Sequence, residues 1–122
     1  MRRLVLLALL GLAGCVTPSI PIPPPDPSLM TFTVTTDPMG TITSASLEYP
    51  PTVTYIGGVV YVFNRTGGHG IIELVRANGS IGPTTPVAAT LNDQLVISIE
   101  NDEQTLSTCV LLREGTPSSY CP

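Results

Sequence analysis

Apolar and polar residues alternate along several short segments of the chain, a period of two that is typical of half-buried β-strands. The clearest run is residues 94–100, where Leu95, Ile97 and Ile99 share one face. Residues 30–34 alternate in the same way with threonines. No stretch carries a sustained helical period, so the sequence predicts strands rather than helices.

Turn residues separate these strand candidates at intervals of roughly ten residues. Turns are predicted at residues 37–40, at 78–79 and at 101–104, each rich in Asn, Asp or Gly. The spacing predicts six or seven short strands, and hence an all-β fold: a small antiparallel sandwich over residues 28–122.

Two segments carry more specific expectations. Residues 59–63 are β-branched or aromatic throughout, which predicts a strand buried on both faces. Residues 42–49 alternate weakly and run into Pro50-Pro51, which predicts an edge strand or a loop.

The N-terminus reads as an export signal. Arg2 and Arg3 precede an apolar run, residues 4–12, of the length found in signal peptides. The run is too short for a helix that crosses a bilayer, which needs about 20 residues.

The end of this signal, Leu12-Ala13-Gly14-Cys15, resembles the lipobox of bacterial lipoproteins. The resemblance implies cleavage between Gly14 and Cys15 and diacylglycerol on the Cys15 thiol, so that lipid holds the protein on a membrane. Val16 follows the cysteine where inner-membrane lipoproteins have aspartate, which implies the outer membrane of the bacterial envelope. An ordinary secretory signal that happens to contain a cysteine is the alternative.

Prolines occupy six of the twelve positions in residues 16–27. Such a segment favours the extended polyproline II conformation. We therefore divide the chain into a signal peptide (1–14), a lipidated cysteine with a stiff linker (15–27) and a domain (28–122). The linker would hold the domain some 35–40 Å from the bilayer, at about 3.1 Å per residue. A proline-motif ligand is the alternative role.

Three cysteines in an exported protein leave an odd one. If Cys15 carries lipid, Cys109 and Cys121 can form a disulfide in the oxidising envelope. Alternatively, Cys109 is a small core residue and Cys121 a free thiol.

Charge excludes one class of partner. The formal net charge is −4, and removal of Arg2 and Arg3 with the signal leaves −6, with Arg65, Arg76 and Arg113 as the remaining cations. Nucleic-acid binding needs several basic contacts on one face, which three scattered arginines do not supply.

Residues 58–113 resemble small bacterial immunoglobulin-like modules of surface proteins. The resemblance is carried by the strand at 59–63, by residues 77–81 and by residues 90–95 leading into 96–99. It implies an immunoglobulin-like sandwich and carries no binding residue across.

Catalytic and metal-binding patterns are sparse. His69 is the one histidine, in a glycine-rich turn, and no nucleophile motif surrounds a serine. We expect an exposed loop histidine and no enzyme, no cofactor and no zinc site. Calcium is the stronger metal possibility, because residues 92–93 and 101–103 offer oxygen ligands on what the sequence suggests are neighbouring turns.

Tyr49 and Tyr55 flank the Pro50-Pro51 break and are the best candidates for an exposed ligand patch. The leading hypothesis is a non-catalytic, lipid-anchored envelope domain that binds or spaces other components, with a protein partner adding a strand at a sheet edge. The alternatives are a polysaccharide-binding module, assisted by calcium, and a hydrolase that uses His69.

Overall fold

The fold consists of two antiparallel sheets packed face to face. A computed structural model of the chain describes residues 21–115 and 119–122; the predicted signal peptide and its cleavage and lipidation residues, Gly14 and Cys15, lie outside them. The described residues form eight strands: β1 Thr31–Thr36, β2 Ile42–Glu48, β3 Val59–Asn64, β4 His69–Leu74, β5 Val87–Ala88, β6 Gln94–Asn101, β7 Gln104–Leu111 and β8 Ser119–Tyr120. Two 3₁₀ turns, η1 Pro27–Leu29 and η2 Val53–Tyr55, complete the elements.

The smaller sheet has the order β1-β2-β5, and the larger has the order β4-β3-β6-β7-β8. The chain crosses between the sheets after β2, after β4 and after β5. The predicted fold class, an all-β antiparallel sandwich, is therefore confirmed. A relationship to bacterial immunoglobulin-like modules stays a prediction.

The core lies between the sheets and follows the predicted alternation. Phe32 and Leu47 of the smaller sheet face the apolar side chains of β3 and β6, and all are buried. The inward residues of the larger sheet are Val60, Val62, Leu95, Ile97, Ile99 and Val110. Each such side chain contributes roughly 1.5–3 kcal/mol through removal from water.

Two strand predictions are wrong in position or in burial. The strand at 42–49 is neither an edge nor a loop, because β2 lies between β1 and β5 and ends before Pro50. The strand at 59–63 is buried on one face only, because nothing covers the outer face of the larger sheet at Phe63 in the described residues. The apolar composition of residues 59–63 does not show whether the strand is buried on both faces or has one apolar face in solvent.

The predicted turns are confirmed. In the first, the Asp37 carbonyl accepts from the amide of Gly40 at 2.9 Å. In the second, Gly79 has a φ of +85°, and a Cβ there would lie 1.9 Å from the carbonyl oxygen of Thr52. Glycine is therefore required at position 79 both by the backbone conformation and by the contact with a neighbouring loop. The third turn joins β6 to β7 through Asp102 and Glu103, both with positive φ.

Residues 21–27 are packed against the sandwich, and we call them the N-terminal strap. The strap is held by four hydrogen bonds to side chains of the domain. The Ile22 amide donates to Gln104 Oε1 (2.9 Å), the Asp26 amide donates to the Tyr49 hydroxyl (3.0 Å), and the Pro23 and Pro25 carbonyls accept from Tyr55 (2.8 Å) and Thr108 (2.6 Å).

These contacts correct the predicted domain boundary. The folded unit begins by Ile22 rather than at residue 28, because Ile22, Pro25 and Pro27 are themselves buried. Proline lacks an N–H, so this segment does not form the backbone hydrogen bonds of a helix or a sheet. Its carbonyl groups still accept hydrogen bonds, and here side-chain hydroxyl groups donate them. The predicted spacer of 35–40 Å is therefore too long.

Cys109 and Cys121 form a disulfide, with their Cα atoms 5.3 Å apart. The Cys121 amide also donates to the Cys109 carbonyl at 3.0 Å. The predicted pairing is confirmed, and it fixes the C-terminal strand β8 against β7.

Candidate functional site

The most unusual surface of the domain is an apolar area at one edge of the larger sheet. Register pairs Val59 with Leu74 and Tyr61 with Ile72, and paired residues of an antiparallel ladder point to the same face. Here that face is the outer one, where Leu74 is 77% exposed and Ile72 is 67% exposed. With the half-exposed Phe63, these five residues form what we call the edge surface.

A glycine extends this surface. Gly70 pairs with Phe63, and a Cβ at Gly70 would lie 3.1 Å from the Phe63 ring. The ring therefore lies over the glycine and shields its backbone. Because Gly70 has no side chain, the edge surface is flat at this end, beside the ring of Phe63.

Strand β4 also carries unpaired backbone groups. The Val75 amide donates to the Gly58 carbonyl at 3.0 Å, which sets the alternation of hydrogen bonds between β3 and β4. By that alternation, the backbone groups of Gly70, Ile72 and Leu74 point away from β3. Among the described residues no other strand pairs with β4, so these groups face outward from the sheet.

The other edge strands among the described residues are short or partly paired, and β5 and β8 have two residues each. Strand β7 is flanked by β8 and the disulfide, and Phe32 of β1 exchanges two backbone hydrogen bonds with Gly115. Proteins usually protect an open edge with lysine, proline, a bulge or an inward charge. Strand β4 has one such device, the inward Glu73, whose carboxylate accepts from the Thr85 amide at 2.5 Å. The strand carries no lysine, proline or bulge, and its outward side chains carry no charge.

The electrostatic surroundings of the edge surface are acidic. Tyr61 donates to Glu100 Oε2 at 2.7 Å, and this hydrogen bond raises the pKa of the Tyr61 hydroxyl. All nine acids lie in the described residues with three arginines, so the domain carries a net charge of −6. A cationic partner is favoured over an anionic one.

Tyr49 and Tyr55 do not form an exposed patch. They are 7% and 2% exposed, and their ring centroids lie 5.8 Å apart inside the sandwich end. The prediction that these rings stand on the surface is wrong, because both hydroxyl groups turn inward to hold the strap. Burial raises the pKa of Tyr55, and Tyr49 adds to the shift.

His69 is exposed, as predicted, although it begins β4 rather than lying in the turn. It lines a shallow cleft of about 310 Å³ with Asn64 and Asp93. The Asp93 carboxylate accepts from the Asn64 amide (2.8 Å) and from the Thr90 backbone (3.0 Å). Through these hydrogen bonds, Asp93 holds the loop that precedes β6. Among the described residues, no hydrogen bond joins His69 to Asp93.

The two proposed groups of calcium ligands are far apart. Residues 92–93 precede β6, whereas residues 101–103 begin at its last residue, and a strand of eight residues spans roughly 25 Å. The prediction that these turns are neighbours is wrong, because they lie at opposite ends of β6. Within residues 21–115 and 119–122, no three His, Cys, Asp or Glu side chains come together in a metal-binding group.

The apolar composition of β3 and β4 is the sequence feature that could have predicted the edge surface. Residues 59–63 are apolar at every position, and the next strand adds Ile71, Ile72 and Leu74. In a parallel sheet this composition indicates burial on both faces. In an antiparallel sheet with one covered face, the same composition leaves apolar side chains in solvent.

The fold and this surface define a small, disulfide-linked β-sandwich with one open apolar edge. The part of the chain that the structure describes has no helix long and apolar enough to cross a membrane. The chain matches no protein-family model, and no curated protein or solved structure is significantly similar to it.

Proposed function

We propose that the protein is a lipid-anchored, non-catalytic component of the bacterial envelope that binds another protein at the edge surface. The exposed apolar face of the open strand β4 is the observation that carries this proposal. The partner contributes an extended strand that pairs with the outward backbone groups of β4. Its apolar side chains cover Ile72 and Leu74, and basic residues suit the net charge of −6.

Membrane attachment rests on the lipobox at residues 12–15 and on the preceding signal. Two or three acyl chains give a stable anchor, because each buried methylene contributes about 0.8 kcal/mol. Cys15→Ser should abolish palmitate labelling and leave an uncut precursor. Persistent labelling of that variant would show that the lipid is not on Cys15.

Partner binding is tested by co-purification from detergent-solubilised membranes with a tagged protein. Leu74→Glu puts a charge on the apolar area next to the unpaired backbone, so a bound partner should be lost. Thr105→Glu is the matched control, since Thr105 is exposed on the same sheet, away from β4. Equal recovery with both variants would place the partner elsewhere.

Binding of polysaccharide would require Tyr49 and Tyr55 on the surface, but both rings are buried and their hydroxyl groups bind the strap. We therefore propose protein binding alone.

A further inference from the structure

The strap changes the distance between the lipid and the domain. Because the folded unit begins by Ile22, seven Cα–Cα steps separate it from Cys15, a reach of at most about 25 Å. The strap enters at one end of the sandwich, where the Ile22 amide meets Gln104, the first residue of β7. That end must therefore stay close to any membrane that holds Cys15.

An apolar loop lies at the same end. Tyr55, which donates to Pro23 of the strap, belongs to the short turn η2, Val53–Tyr55. On either side of the buried Tyr55, Val53 is 83% exposed and Ile56 is 44% exposed. We call residues 50–56 the apolar tip.

The apolar tip is held rigidly and is uncharged. The Asn101 side-chain amide donates to the carbonyls of both Thr54 and Ile56 at 3.2 Å, which fastens the tip to the end of β6. No charged residue occurs from Tyr49 to Asn64. Rigid, uncharged, apolar side chains at a fixed position suit the boundary between headgroups and acyl chains.

We propose that the apolar tip rests on the bilayer that carries the lipid of Cys15, with Val53 and Ile56 among the lipid headgroups. This inference rests on the proposed lipid anchor. The short tether keeps the apolar tip at a high effective concentration near the bilayer, so that two side chains are enough for binding. The surface involved is zwitterionic lipid, since Asp102 and Glu103 in the adjoining β6–β7 turn repel anionic headgroups.

The orientation has a consequence for the edge surface. Strand β4 runs along the side of the sandwich, from the end opposite the strap at His69 to the strap end at Leu74. A domain resting on its apolar tip therefore presents β4 upright at the membrane surface. Its partner is then a protein that reaches close to the same bilayer.

The experiment uses the lipidated full chain reconstituted in phosphatidylcholine vesicles with brominated acyl chains. Val53→Cys carries an environment-sensitive fluorophore, and Met39→Cys, in the exposed turn at the opposite end, is the matched control. We expect the label at position 53 to be quenched at least about twofold more strongly than the label at position 39. Equal quenching in vesicle-bound protein would overturn the inference.

Flotation of the same samples separates this result from failure of the anchor. Protein that does not float with the vesicles would contradict lipidation at Cys15, and with it the proposed function. Protein that floats but shows equal quenching would contradict the docking of the apolar tip alone. Cys15→Ser should not float, because the tip does not bind lipid without the tether.

Discussion

The hydroxyl group of Tyr55 donates a hydrogen bond of 2.8 Å to the carbonyl oxygen of Pro23. A core tyrosine thereby secures a segment that precedes the first strand, and Tyr49 adds a second contact by accepting from the Asp26 amide. Tyr49 and Tyr55, which the sequence predicted to form a ligand patch, instead attach the chain's own proline-rich strap.

This contact predicts a loss of stability at alkaline pH. Burial raises the pKa of Tyr55 above its ordinary value of 10.0, so the unfolded chain ionises first as the pH rises. Stability from this residue is complete below pH 10 and is lost progressively above it, because tyrosinate cannot donate to Pro23. Tyr55→Phe should cost about 1 kcal/mol at neutral pH and flatten the alkaline loss in urea unfolding. Tyr120→Phe, at an exposed tyrosine, should change the neutral free energy by less than about 0.5 kcal/mol.

Thr108 should be the most sensitive strap contact. It is buried, and its hydroxyl donates at 2.6 Å to the carbonyl of the buried Pro25. Thr108→Val keeps the shape but leaves that carbonyl unsatisfied, so the free energy of unfolding should fall by about 1–3 kcal/mol. Thr105→Val, exposed on the same strand, is the control, and equal effects of the two variants would show that the hydrogen bond from Thr108 to Pro25 does not stabilise the fold.

The disulfide should stabilise the domain by constraining the unfolded chain. Cys109 and Cys121 close a short loop, twelve residues apart in sequence, worth about 3 kcal/mol in the chain-entropy model. Denaturation with and without reductant measures this difference. Thiol labelling of both cysteines in the unreduced mature protein would contradict the pairing.

Gly79 and Gly40 should respond differently to alanine. Both have positive φ, but only at Gly79 does the added Cβ meet a backbone atom, 1.9 Å from the Thr52 carbonyl oxygen. Gly40→Ala should cost about 1 kcal/mol through conformation alone. Gly79→Ala should cost roughly 3 kcal/mol or more, because the loop before η2 must move. Equal losses in thermal unfolding would mean that the two loops are not in contact.

Local pattern was enough to predict most of the fold. Alternation in β6 gave the inward set of Leu95, Ile97 and Ile99, and the Asn78-Gly79 pair gave a turn that the structure contains. These features depend on neighbours in sequence, which is where a period of two carries its information. The pairing of Cys109 with Cys121 followed from counting rather than from geometry.

Long-range contacts were beyond the reach of pattern. The strap looked like a free polyproline segment, because nothing near Pro23 or Pro25 in sequence indicates the distant hydroxyl groups of Tyr55 and Thr108. The edge surface was missed for a related reason. An apolar strand indicates burial, and whether its second face is covered depends on how many layers the whole fold has.

Site-specific photo-crosslinking in living cells can show whether a protein binds at the edge surface. Amine-reactive reagents are unsuitable since the chain has no lysine, so a photoreactive residue replaces Ile72 on β4 or, as a control, Thr105 on β7. We expect a discrete adduct with one envelope protein from position 72 and little from position 105. No adduct at position 72, or equal yields from both positions, would contradict a binding site at the edge surface.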